Sequence, residues 1–306
     1  MSKSVITDSL LTAIADAIRA KTGDDDMMTP AEMAQAIEDL PEGATEPYVE
    51  YTITELGSGG AAKMYGFTAI PKYFFSGASG DEANWANVEV PEGVTAIRKG
   101  AFASSGLHQI SLPDSLETIE SNAFELCHIE SISFPDGLKS IGDHVFNGCA
   151  LLESCIFPDD IESINSAYMF TNCSNLETVN FPAAWTNIAD YTFAACTSLR
   201  LSKIPAHITT IGGYAFNNCT SLTELDIMGA TSLTGKYSIG RCSHLTTIRF
   251  HQTPSSINTQ AFSNDTALTN IYVPWSNGAV AGAPWGATNA SIHYDTQYDA
   301  DGNIIT

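Results

Sequence analysis

The hydrophobic pattern of this chain has a period far longer than that of a helix or a strand. Phenylalanine recurs at Phe102, Phe124, Phe146, Phe170, Phe193, Phe216 and Phe262, with Ile239 standing in the one gap, at steps of 22 to 24 residues. Three residues after each inner copy comes a cysteine: Cys127, Cys149, Cys173, Cys196, Cys219 and Cys242, while the outer copies carry Ser105 and Asp265. An aliphatic follows at Leu107, Ile129, Leu152, Leu176, Leu199, Leu222, Leu245 and Leu268, and in most copies a proline stands six residues beyond it. Within one unit, Leu176-Glu177-Thr178-Val179-Asn180-Phe181-Pro182, Val179 and Phe181 alternate with polar neighbours. That alternation predicts a short strand with one buried face, ended by a proline that cannot donate to a continuing ladder. A second apolar pair follows, as in Leu116/Ile119, Leu138/Ile141, Ile161/Ile164 and Ile208/Ile211.

A unit of this size cannot bury so many apolar side chains alone, but stacked units can bury them against their equivalents above and below. The expected fold is an α+β repeat solenoid: a coil with one short strand per turn, preceded by an N-terminal helical hairpin. Eight or nine turns at a strand spacing of about 4.8 Å give a body on the order of 40 Å long. The phenylalanines form one internal column and the thiols another. The unit at 222–245 departs from the pattern, with Met228-Gly229 in place of the proline and Ile239 in place of Phe, and predicts a local irregularity. A degenerate upstream copy runs from Ile70-Pro71 through Phe75 and Trp85 to Pro91.

The chain ends read differently. Over residues 5–21, Ile6, Leu10, Leu11, Ile14, Ala17 and Ile18 form one helical stripe. A second helix opens at Thr29-Pro30-Ala31-Glu32, with Thr29 as N-cap and Pro30 at the first helical position, and stops at Pro41-Glu42-Gly43. The expected division is a helical hairpin over 1–43, a linker and first strand over 44–67, a solenoid over 68–274 and a C-terminal cap over 275–306. In that cap, Trp275 and Trp285 can cover the last Phe layer, and Ser291-Ile292-His293-Tyr294 with Asn303-Ile304-Ile305-Thr306 predicts a β-hairpin about an Asp-Gly turn.

The units, of the form Leu-x-x-Ile-x-Phe-Pro … Ile-x-x-x-Ala-Phe-x-x-Cys, resemble the BspA-like leucine-rich repeats of bacterial surface antigens, over about two thirds of the chain. The segment Leu11-Thr12-Ala13-Ile14-Ala15-Asp16-Ala17-Ile18-Arg19 … Lys21-Thr22-Gly23 … Met33-Ala34 … Ala36-Ile37 resembles an N-terminal module of bacteriophage and prophage tail-associated virion proteins. The first resemblance implies a right-handed, leucine-rich-repeat-like coil that serves as a binding solenoid. The second implies attachment to other virion tail proteins or to sister chains, for which a homo-trimer is suitable.

Charge and composition narrow the chemistry. Lys and Arg total 13 against 35 Asp and Glu, a net charge of −22, which argues against nucleic acid and anionic membrane surfaces as partners. The N-terminus lacks a basic stretch followed by an apolar one, so synthesis in a bacterial cytoplasm without export is expected. The seven cysteines follow the structural period, predicting reduced, buried thiols. No paired short Cys spacing suits zinc, and no Walker loop, nucleophile elbow or zincin helix is present. Asp299, Asp301 and Asn303 resemble the opening of a calcium loop, but the required glycine and distal glutamate are missing. No catalytic, metal or cofactor residue is assigned, and a non-enzymatic protein is expected.

A binding face is placed on the outward positions of the stacked strands. The N-terminal half is bland there, whereas the C-terminal half gathers Lys203, Glu224, Asp226, Arg249 and Tyr272 in neighbouring rows. The expected function is a phage tail-associated, virion-borne adhesion protein that binds a glycan or protein of the host cell surface. The alternative is a bacterial cell-surface adhesin built on the same repeat.

Overall fold

The computed structural model describes residues 50–56, 60–65, 69–70, 72, 76, 87–299 and 301–305. The helical hairpin expected over 1–43 and most of the degenerate copy around Phe75 and Trp85 lie outside them. The described chain is a β-solenoid of about nine turns. Each turn contributes a strand to a first, parallel sheet and, in most turns, a two-residue strand to a second one. Register is kept coil to coil. Ser131, Cys155 and Ile156 pair with Ser154, Ile132 and Ser133, and Thr118 and Ile119 pair with Ser140 and Ile141.

The core explains the period. Phe102, Phe124, Phe146, Phe170, Phe193 and Phe216 are fully buried and stack ring on ring, with successive centroids 5.5, 5.8, 5.6, 5.5 and 5.1 Å apart. Beside them the thiols form a hydrogen-bonded column. Cys127 Sγ donates to the Phe102 carbonyl at 3.0 Å, and Cys149, Cys173, Cys196, Cys219 and Cys242 each reach the Phe carbonyl of the preceding coil at 3.0 to 3.2 Å. A cysteine recurs there because the site needs a small, apolar side chain with one weak donor. The Phe segment turns a tight corner, with left-handed backbone two residues before and two after the ring, as at Asn122 and Leu126, Tyr168 and Asn172, and Tyr214 and Asn218. Gly148 takes the second of these positions with φ 75°, a conformation that costs glycine little.

Both ends are covered, although differently from expectation. The strand Glu50–Leu56 pairs antiparallel with Gly60–Tyr65, and Thr52 pairs with Glu89, so a hairpin closes the first edge of the solenoid. At the other end Ser291–His293 is not a hairpin arm. It adds to Asn270–Tyr272 as a further parallel strand, and the solenoid therefore runs beyond 274. The hairpin arms are Gln297–Tyr298 and Ile304–Ile305. The reason is periodic: Trp285 takes the ring position 23 residues after Phe262, with centroids 6.4 Å apart, and carries the repeat through one more turn. Asp299 Oδ1 accepts the amide N–H groups of Asp301 and Asn303 at 2.9 and 2.8 Å, so this carboxylate is engaged in holding the turn.

The irregularity expected at 222–245 is absent from the first sheet. Glu224–Ile227 pairs in full register with Thr247–Phe250, and buried Ile239 fills the ring position. The discontinuity falls one coil earlier. The first sheet is unpaired between Thr178–Val179 and Lys203–Ile204, as it also is between Gln109–Ser111 and Ser131–Ser133. At the first of these breaks the inward strand position, occupied elsewhere by Ile110, Ile132, Cys155, Val179, Leu225, Ile248 and Ile271, is Ser202, which is exposed. A hydroxyl gains nothing from the core, so the strand starts late.

Candidate functional site

The five face residues proposed from the sequence meet on adjacent strands. Lys203 pairs with Asp226, Asp226 with Arg249, and Arg249 with Tyr272, and Glu224 opens the same strand as Asp226. The final strand extends this row by His293. Alternation in a strand puts every second residue on the same side, so Lys203, Asp226, Arg249, Tyr272 and His293 form one outward ladder. Of the corresponding N-terminal positions, Ser111, Ser133 and Ile156 are exposed and uncharged, and Glu89, paired with Ser111, carries the one charge.

Charge in the ladder is largely balanced from within. Arg249 Nη2 lies 2.7 Å from Glu224 Oε2, and its Nη1 lies 3.5 Å from Asp226 Oδ1. Partial burial opposes the guanidinium charge, but Glu224 and Asp226 outweigh it and hold the Arg249 pKa above its ordinary value. His251 Nε2 lies 3.6 Å from Asp226 Oδ1, and its ring packs against Tyr298 at 4.2 Å. The hairpin carrying Tyr298 thus folds back over the last coils, where desolvation, with help from Asp226, pushes the phenol up to about 12. Tyr272 stacks on His293 at 4.3 Å, and His293 Nε2 meets Asn270 Oδ1 at 3.0 Å. Lys203 is exposed and makes no ion pair among the described residues.

Next to Lys203 lies a groove of about 640 Å³, lined by Arg200, Leu201, Ser202, Ser221, Glu224 and His244 among others. A smaller depression of about 320 Å³ lies over Glu89, Gln109, Ser111, Ser131 and Ser133, beside the other break. The chemistry on offer is hydrogen bonding, ion pairing and aromatic packing. Nucleophilic chemistry is not available from the thiols: all seven are free and buried, and burial raises the pKa of each, that of Cys127 to about 12. Among the described residues no group of three or more His, Cys, Asp or Glu side chains is arranged to hold a metal ion, and no helix is long and apolar enough to cross a membrane. His251, His293 and Tyr298 were not singled out from the sequence. His251 stands 23 residues after Met228, where the repeat count assigns no role, and His293 pairs with Tyr272 at a spacing of 21 residues, shorter than the repeat count.

The profile of the BspA type leucine-rich repeat region matches residues 68–200 and 166–281, in six copies. The chain belongs to this family. Among solved structures, a leucine-rich repeat protein of Bacteroides ovatus is similar at 24% identity, over 68% of this chain and 54% of its own, with a TM-score of 0.58. This BspA-type chain therefore spans about half the length of that relative. A T. pallidum leucine-rich repeat protein aligns at 26% identity over 58% of this chain and 71% of its own, with a TM-score of 0.42. A leucine-rich cell surface protein of Faecalibacterium prausnitzii aligns at 21% identity over 69% and 60%, with a TM-score of 0.35. No curated protein matches the chain.

Proposed function

We propose that this BspA-type solenoid is a non-enzymatic recognition protein whose C-terminal sheet face, from Lys203 to His293, binds a glycan or protein of a host cell surface. The observation carrying this reading is the five-residue polar and aromatic ladder on consecutive paired strands, set against Ser111, Ser133 and Ile156 in the earlier coils. Recognition surfaces draw on Arg and Tyr anchors of this kind. The finer reading is a phage or prophage tail-associated adhesion protein. In it, residues 1–43 attach the chain to other virion tail proteins and bring three copies together. It rests on the resemblance of the Leu11–Ile37 segment to virion modules.

The test is binding of the labelled full-length protein to a panel of candidate bacterial cells, beside an Arg249→Ala/Tyr272→Ala variant. The variant is expected to bind at least about tenfold more weakly, the equivalent of about 1.4 kcal/mol, with an almost unchanged melting temperature. Equal binding by the two proteins would remove this face from consideration. Genes for tail assembly next to this one would support the virion reading, and genes for envelope anchoring would replace it with a bacterial surface adhesin. Light scattering on the full-length protein reads the copy number.

A further inference from the structure

A second ladder runs along the solenoid corner, away from the sheet face. The left-handed position two residues before the core ring is tyrosine in four successive coils: Tyr168, Tyr191, Tyr214 and Tyr237, with φ of 53°, 59°, 57° and 53°. The phenol rings stack with centroids 4.7, 4.8 and 5.2 Å apart and interplanar angles of 9°, 4° and 24°. His144 continues the stack below Tyr168 at 4.6 Å, and the Arg241 guanidinium sits 5.3 Å from the Tyr237 ring. All four tyrosines are half-buried, so their faces are covered by one another while their edges remain open. Identical backbone conformation in successive coils sets like atoms over like atoms. A ring carbon ortho to one hydroxyl therefore lies over its counterpart one coil on, at about the ring spacing. Among the described residues no other tyrosine stacks on a tyrosine; Tyr272 lies on His293 and Tyr298 on His251. The thiols, ordinarily the first groups that an oxidant attacks, are sealed in the core.

We propose that this ladder is an oxidative modification site, at which a one-electron oxidant such as a haem peroxidase with hydrogen peroxide couples neighbouring tyrosines into dityrosine. Each of two phenols loses one electron and one proton to become a phenoxyl radical, and hydrogen peroxide takes up both pairs to give two waters. The radicals join by a carbon–carbon bond between the facing ortho carbons. The hydrogen on each joined carbon then moves to its oxygen, restoring two phenols. The product has lost two hydrogens and ties coil to coil across 23 residues, from Tyr168 to Tyr191, Tyr191 to Tyr214 or Tyr214 to Tyr237. Such a staple restricts the unfolded chain and favours the folded solenoid.

The experiment treats the full-length protein with peroxidase and limiting hydrogen peroxide. It follows dityrosine fluorescence and then digests with trypsin and a glutamyl endopeptidase, which cut at Glu177, Arg200, Lys203, Glu224 and Lys236 and so separate the four tyrosines. The expected result is a monomer on a denaturing gel, carrying peptide pairs lighter by two hydrogens that join only neighbours of the ladder. A Tyr191→Phe/Tyr214→Phe variant keeps every ring in the stack but leaves no two adjacent phenols. It is expected to unfold at the same temperature as the parent and to lose the intrachain cross-links and most of the fluorescence. Equal fluorescence from parent and variant would overturn the proposal, as would cross-links mainly between chains or to tyrosines outside the ladder. No intrachain product under conditions that dimerise free tyrosine would also overturn it.

Discussion

The coils before the break at Ser202 and those after it share one core and present two different faces. Before it, this outward row reads Ser111, Ser133, Ile156 and Asn180 after a single charge at Glu89; after it, the row reads Lys203, Asp226, Arg249, Tyr272 and His293. The first sheet does not bridge the two halves, yet the interior does. Phe193 and Phe216 stack at 5.1 Å, and Cys219 donates to the Phe193 carbonyl at 3.1 Å, spanning coils on either side of the break. The ring and thiol columns therefore hold the solenoid together independently of strand pairing, and the sheet is free to vary in surface and continuity. The covered rings and thiols supply continuity, and the strands supply a platform.

The largest expected effect comes from breaking what the halves share. Phe193→Ala removes a fully buried ring stacked on both neighbours, and large-to-small changes of this kind cost about 3–5 kcal/mol. Chemical denaturation should show that loss in one cooperative transition. Two transitions would mean that the halves fold separately and that the break divides the core as well as the sheet.

The next effect lies at the end of the thiol column. Asp265 takes the cysteine position, is 4% exposed, accepts the Cys242 amide N–H at 2.6 Å and leaves Oδ2 without a partner. Burial, only partly offset by that hydrogen bond, pushes its carboxyl from 3.8 up to about 8. Because the folded-state value lies above the unfolded one, the neutral acid favours folding. Its contribution is complete below about pH 4 and is lost as the pH rises through 8. Each tenfold weakening of the acid on folding corresponds to about 1.4 kcal/mol, so the loss amounts to a few kcal/mol. Asp265→Asn should remove this slope, so the stability of variant relative to parent rises between mildly acidic and mildly alkaline buffer. Parallel curves for the two proteins would mean that the carboxylate finds solvent.

A smaller effect separates two kinds of buried cysteine. Cys196 stands in the column and donates to the Phe170 carbonyl at 3.1 Å, whereas Cys155 stands at the strand position that other coils fill with Ile, Val or Leu. Cys196→Val should cost about 1–3 kcal/mol through crowding and a lost donor, and Cys155→Val should stay within about 0.5 kcal/mol of the parent. Melting temperatures of the two variants decide it. This contrast also marks what the sequence made legible. The period of Phe102 to Phe262 and of Cys127 to Cys242 is written in single residues, because a column tolerates one shape, and the face residues follow from counting two and four places past each aliphatic. The extra coil ending at His293 was hidden by a change of side chain at a kept interval, Trp285 for Phe. The hairpin about the Asp-Gly turn was legible, but its docking through Tyr298 was hidden because the partner His251 lies far away in sequence. The tyrosine ladder was readable at a fixed offset of two before each ring, and only the left-handed backbone there shows why those side chains line up outside the core.

The finest test addresses the break itself. If exposed Ser202 is what delays the strand, valine at that position restores the apolar side chain the pattern lacks. Burying a valine is worth about 1.5–3 kcal/mol, and drawing the strand inward costs part of that, so Ser202→Val should stabilise the chain by about 1 kcal/mol. The gain has a structural signature. Pairing of 201–203 with Thr178–Val179 should protect amides there from hydrogen exchange. Stability gained without new protection would mean that valine packs in place and the break is set elsewhere. One candidate is the Asn180 amide, which is turned back to bond the Phe157 N–H and carbonyl at 2.8 Å each, away from the next strand. Either outcome identifies the residue that separates the bland face from the charged one. If the Ser202→Val variant binds cells as the parent does, recognition rests on the Arg249–Tyr272 ladder and not on the late start of the strand at Ser202.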